Sequence, residues 1–142
     1  MAGGKSLYLI DALLKHVFKG TGYTMPANLY LALTTSAPAA NSTGGTIVEA
    51  TYTGYARKQI LTSDMGAPVV SSSPGTIANT SSLVFANCTA GSSNINGFAV
   101  CDSAGTGTGN VLYWGTISPA KTIDTSNQPA TVGVGALVVS EA

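Results

Sequence analysis

The side chains able to do acid–base, nucleophilic or metal chemistry are few, and they are badly spaced for it. His16 is the single histidine among 142 residues, and the acids Asp11, Glu49, Asp64, Asp102, Asp124 and Glu141 stand one at a time. A glycosidase needs two facing carboxylates and a calcium loop needs acids at alternate positions; neither spacing occurs. Asp11 lies five residues before His16, about 140° around a helix, where it cannot orient the imidazole. Nucleophile elbow, H-E-x-x-H and paired-cysteine motifs are all missing. Gly4-Lys5-Ser6 echoes the end of a P-loop without its upstream glycine or preceding strand, and Gly105 to Gly109 alternates glycine with threonine as a hairpin tip does. Asp102-Ser103-Ala104-Gly105 reads as turn chemistry, its carboxylate accepting local backbone donors. This inventory points to a chain that is not an enzyme and takes no cofactor or metal.

Composition argues the same way. Charged residues make up 8% of the chain, against about 25% in ordinary soluble domains. The formal net charge is zero, which removes the electrostatic case for nucleic acid or an anionic membrane and favours association over repulsion. The one basic doublet, Arg57-Lys58, splits across the two faces of a strand. Asp11 interrupts the apolar stretch after Lys5, and no small-residue cleavage site follows, so the reading is a chain made in the cytoplasm without a signal peptide. No run approaches 18 apolar residues, so no membrane span is expected. The Asn-x-Ser/Thr triplets at Asn41, Asn79 and Asn87 are accidents of a hydroxyl-rich chain. Cys88 and Cys101, placed on a hairpin of 83–89 with 95–101, would lie about 13 Å apart. A disulfide needs Cα atoms within about 7 Å, so two reduced thiols are expected.

The elements that would carry these residues follow from periodicity. Residues 6–19 predict a helix: Leu7, Ile10, Leu13, Leu14, Val17 and Phe18 form a broad apolar stripe. Ser6 caps its start, Gly20 stops it, and Lys15, His16 and Lys19 sit at the negative end of its dipole. Leu29, Leu31 and Leu33 alternate on a strand, and further strands are expected near 46–52, 54–61, 82–88, 95–101, 111–117 and 131–139. Runs rich in Gly, Pro, Ser and Thr separate them at 36–45, 63–75, 105–110 and 124–129. The expected fold is mainly β: a single antiparallel β-sandwich or barrel-like domain over 1–142, with one N-terminal amphipathic α-helix, a flexible arm at 1–5 and the β domain at 28–139. In 111–117, Val111, Tyr113 and Ile117 are expected to oppose Leu112 and Trp114. In 131–139, Val132, Val134, Ala136 and Val138 form one face, while Gly133 and Gly135 leave room on the other for a backbone or helix. Either the N-terminal helix or another subunit would cover that patch. Lys5, Tyr8, Tyr52, Tyr55, Arg57, Gly133 and Gly135 are the candidate contact residues, with Tyr52 and Tyr55 taken as exposed aromatics. The arm and the loops at 36–45 and 63–75 are the candidate clamps.

The stretch from Leu9 to Gly20, followed by Tyr23, Pro26 and Leu29 to Pro38, resembles a family of small tailed-bacteriophage virion proteins. The match continues through Gly54-Tyr55-Ala56-Arg57-Lys58-Gln59, Gly97-Phe98-Ala99-Val100, Asn110 to Gly115 and Gly135 to Glu141, in consistent order over nearly the whole chain. Members are usually labelled tail-fibre proteins, while others are encoded among head genes, which implies capsid decoration. The resemblance implies a non-enzymatic structural protein of the virion and offers no catalytic residues. The first expectation is a decoration or cement protein on the capsid surface, binding the major capsid protein and copies of itself as a homo-oligomer. The alternative is a tail-fibre component that meets a host receptor.

Overall fold

A computed structural model of the chain describes residues 3–71 and 74–141. Its elements are β1 (Gly3–Lys5), α1 (Leu7–Lys19), β2 (Leu29–Thr34), β3 (Lys58–Ile60), β4 (Gly75–Ala78), β5 (Leu83–Val84), β6 (Ser93–Cys101), β7 (Val111–Ile123), β8 (Thr131–Val132) and β9 (Val138–Glu141). The mainly β, antiparallel architecture with one helix is the class the alternation implied.

Five strands form the main sheet in the order β1-β7-β6-β2-β3, every pair antiparallel. Side chains alternate faces along a strand, so the sheet carries two apolar layers. Leu31, Leu33, Ile95 and Val100 point to the larger one, with Tyr52, Ile60, Leu83, Phe85, Cys88 and Leu137. Ala32, Ala99, Cys101 and Val111 form the smaller one, against Ile47 and Trp114. Over the larger layer lies a two-stranded ribbon. Its outer part pairs Gly75 to Ala78 with Glu141 to Val138, and its inner part pairs Leu83 with Val132 and Val84 with Thr131. β9 runs beside β1 and β5 beside β3, so the ribbon crosses the sheet from one edge to the other.

Asn79 holds the ribbon together where its pairing breaks. The side chain is 1% exposed. Its amide donates to Ser81 O at 2.7 Å and Gly133 O at 2.8 Å, and its carbonyl accepts from Leu137 N at 2.9 Å. Three backbone groups that the interrupted ladder leaves over are thereby satisfied.

Several expectations are corrected. Residues 3–5 of the supposed arm are strand β1, paired with β7 from Gly3↔Gly115 to Lys5↔Tyr113; Met1 and Ala2 lie outside the described residues. The segments 83–89 and 95–101 do not pair with each other: Leu83–Val84 joins β8, while β6 sits between β2 and β7. The two cysteines are free and buried as expected, for a different reason. Cys88 belongs to one face of the sheet and Cys101 to the other. Of 54–61 only Lys58–Ile60 is strand, and 46–52 contributes one bridge, Thr34↔Glu49. The run 131–139 is broken by a turn in which Gly135 has φ 72° and its N–H donates to Asn79 O at 2.8 Å. A register shift between Val100 and Cys101 turns Val111 away from Tyr113. Val111 therefore lies in the smaller layer, while Tyr113 and Ile117 pack on the larger.

The helix forms as its caps dictate. Ser6 Oγ accepts from Leu9 N at 3.2 Å, and Gly20 takes the left-handed conformation with its N–H on Lys15 O. Its apolar stripe does not cover the 131–139 patch, however; α1 packs against β7. Leu9 is its buried residue, with Ala12 and Leu13 half-buried on the same face, and everything from Leu14 to Gly22 is exposed.

Candidate contact surfaces

The charged and aromatic residues between 49 and 57 build inward. Glu49 and Arg57 form an ion pair at 2.7 Å with side chains 3% and 0% exposed. Arg57 Nε also donates to both carboxylate oxygens, at 3.2 and 3.1 Å. Its Nη1 turns the other way and donates to Ser103 O at 2.7 Å and Thr108 O at 3.0 Å. Gly107 N–H returns a hydrogen bond to Glu49 at 3.1 Å. The tip between β6 and β7 is therefore pinned to the body through a buried guanidinium. Gly44 closes the same corner: its N–H donates to Gly109 O at 2.9 Å, and an added Cβ would meet Thr108 O at 1.9 Å. The loop at 36–45, a candidate clamp, is thus docked on this tip at Gly44.

Tyr55 completes the network. Its hydroxyl donates to Glu49 at 2.8 Å and accepts from Leu33 N–H at 3.1 Å, while its ring packs edge-on to Tyr52 with centroids 5.5 Å apart. Burial pushes the Glu49 carboxyl up, but hydrogen bonds from Arg57, Tyr55 and Gly107 outweigh it and hold the group below the ordinary carboxylate range. Burial first, then the Glu49 charge, pushes the Tyr55 hydroxyl well above its usual value. Burial likewise pushes the Cys101 thiol up to about 11, against the pull of Arg57. Glu49, Tyr55 and Arg57 are all partnered, and through Arg57 and Glu49 the network holds the β6–β7 tip.

Of the seven candidate contact residues, Tyr52 is therefore corrected outright: it is 2% exposed. Arg57 is buried in its ion pair and Tyr55 is half-buried, so neither presents a free polar group. Lys5 pairs with Glu141, which also accepts from the Tyr113 hydroxyl. The two residues tie β1 to β9, and Lys5 lines a cleft of about 390 Å³ together with Phe98, Tyr113 and Val139. Gly133 and Gly135 lie on an exposed turn, with open space where a side chain would stand. Tyr8, 44% exposed on α1, is available for contact. Near it the helix leaves Leu7, Ile10, Leu14, Val17 and Phe18 at 55, 36, 54, 67 and 75% exposure. Asp102 accepts from a backbone donor, but from Asn110 N at 2.7 Å across the hairpin and not from within the 102–105 turn, where Ser103 Oγ accepts from Gly105 N.

Sequence reasoning missed Glu49, Asn79 and the outward direction of the helix stripe. A signal for the last was present: Leu7, Leu9, Ile10, Leu13, Leu14, Val17 and Phe18 are too many apolar residues for one face of a 13-residue helix. Among the described residues no three His, Cys, Asp or Glu side chains gather as a metal site. His16 Nδ1 accepts from Tyr23 N–H at 3.2 Å, which uses its lone pair locally. No helix of the structure is long and apolar enough to cross a membrane.

No curated protein sequence matches this chain. A family model does, over residues 4–140, from the N-terminal strand to the last strand: podophage GP4 fiber I protein gp80. With almost the whole sheet, the ribbon and the helix inside that match, the chain belongs to this family of phage virion proteins.

Proposed function

We propose that the chain is a non-enzymatic subunit of a virion fibre, working by contact with copies of itself and, at its outer end, with a host receptor. The observation that carries the reading is the disposition of its surface. Buried charge is spent on holding one loop tip, whereas the helix keeps five large apolar side chains in water. Exposed apolar patches of this kind mark interaction sites, and the family's description as a fibre protein names the sort of assembly that supplies partners. Purified particles separated into heads and tails and quantified by mass spectrometry test the reading. A few copies per particle, in a fibre-bearing fraction, are expected. Particles that lack the chain overturn it.

A second reading, decoration of the capsid through the major capsid protein, has one observation in its favour. The accessible surface is 7599 Å² and is poor in charge. Two or three contacts of about 800 Å² each would cover roughly a fifth to a third of it. Hundreds of copies in the head fraction would select this reading over the fibre.

A further inference from the structure

We infer that the exposed face of α1 is the seam of a parallel helix bundle formed with two or three further copies of this chain. Leu7, Ile10, Leu14 and Val17 are spaced three, four and three residues apart, which are successive a and d positions of two heptads. Leu7, Leu14 and Val17 are 55, 54 and 67% exposed and Ile10 is 36% exposed, while the adjoining face of the same helix, through Leu9, Ala12 and Leu13, packs inward. Exposure along the outer row is lowest at Ile10, 36%, and highest at the free end, 67% at Val17, with 75% at the adjacent Phe18. The row is thus no part of the core. The start of the helix is fixed by Ser6 N–H on Leu112 O and Leu7 N–H on Ala40 O, both at 2.8 Å. The seam is presented at a set angle by a folded scaffold.

The occupant follows from the pattern. A row of a and d side chains is complementary to another such row, and α1 is the one α-helix among the described residues. Further copies supply the same row. The seam carries no charge to oppose them: Asp11 and Lys15 pair with each other beside it at 2.7 Å, and Lys19 lies off it. The copy number follows from which residues stand where. Leucine is at both a positions and a β-branched residue at both d positions. That choice favours three or four strands over two, which prefer β-branched a and leucine d. Three or four chains closed by rotation about one axis hold their helices parallel. The inference rests on the fibre reading only in that the chain works beside copies of itself.

The full chain is examined by sedimentation and native mass spectrometry across the micromolar range. A mass of three or four chains is expected; a monomer throughout, or a dimer, overturns the inference. Leu14→Glu with Val17→Glu, both at exposed positions, should give a monomer with unchanged β-sheet circular dichroism. Retention of the assembly by that variant overturns it. A second variant exchanges the layers: Leu7→Ile, Ile10→Leu, Leu14→Ile and Val17→Leu. It should fall to two chains, and an unchanged mass shows that the row does not pack as layers. A monomer recovered from particles would refute the bundle and leave the virion role standing. An oligomer missing from particles would do the reverse.

Discussion

Two carboxylate–cation pairs in this molecule have the same separation and opposite settings. Asp11–Lys15 and Glu49–Arg57 both close to 2.7 Å, but the first pair has side chains 61% and 56% exposed and the second 3% and 0%. Water already solvates the helix pair, so its contact adds little. The buried pair has given up its water and depends on every hydrogen bond it makes, because one partner left alone would be an uncompensated charge. The β6–β7 tip and the helix differ in the same way. The tip has its polar groups locked inside, and the helix leaves apolar groups outside and unspent.

The largest effect that tests this contrast is Arg57→Ala, expected to lower unfolding free energy by about 3–5 kcal/mol in urea titrations, since it strands Glu49. The double replacement Glu49→Gln with Arg57→Met should cost less than that single change; if it costs more, the pair is a net source of stability. Next comes Asn79→Ala, expected to cost about 2–3 kcal/mol because several buried backbone groups lose their partner. Smaller again is the response to pH. Glu49 is held below its ordinary value of 4.5, so its contribution is complete above that pH and is lost as pH falls through the lowered value. Tyr55 is raised above 10.0, so its contribution is complete below pH 10.0 and drains away as pH climbs towards the raised value. Denaturant midpoints measured against pH should therefore fall at both ends, and Glu49→Gln should flatten the acid limb. Smallest is Lys15→Ala, expected to change stability by no more than about 0.5 kcal/mol. A loss comparable to that of Arg57→Ala would erase the distinction between the two regions.

Legibility in the sequence followed the same divide. The helix, its Ser6 and Gly20 caps and strand β2 were readable because local periodicity and cap chemistry determine them. The hairpin tip at 105–109 was readable from glycine spacing. Strand partners were not, since β6 lies beside β2 and β7 through contacts that no local pattern encodes. The run 131–139 looked like one strand because its alternation is unbroken, yet Gly135 turns it over to reach Asn79. Tyr52, Tyr55 and Arg57 were read as surface residues because nothing near them in sequence announces Glu49 as their counter-charge. The direction of the helix stripe failed for a related reason: periodicity reveals an apolar face but not what that face meets.

The pairing of β1 with β7 has a consequence for timing. Gly3 finds its place only beside Gly115, so the first strand cannot dock until the distant hairpin that receives it exists, and closing so long a loop is slow. The helix hangs directly from that strand through Ser6. On the ribosome and for some time afterwards, its greasy side is attached to nothing rigid. It acquires a fixed orientation when β1 joins β7 and Ser6 and Leu7 bond Leu112 and Ala40. Recognition by a neighbour that demands that orientation would therefore come after folding, and immature chains would be poor at finding one another.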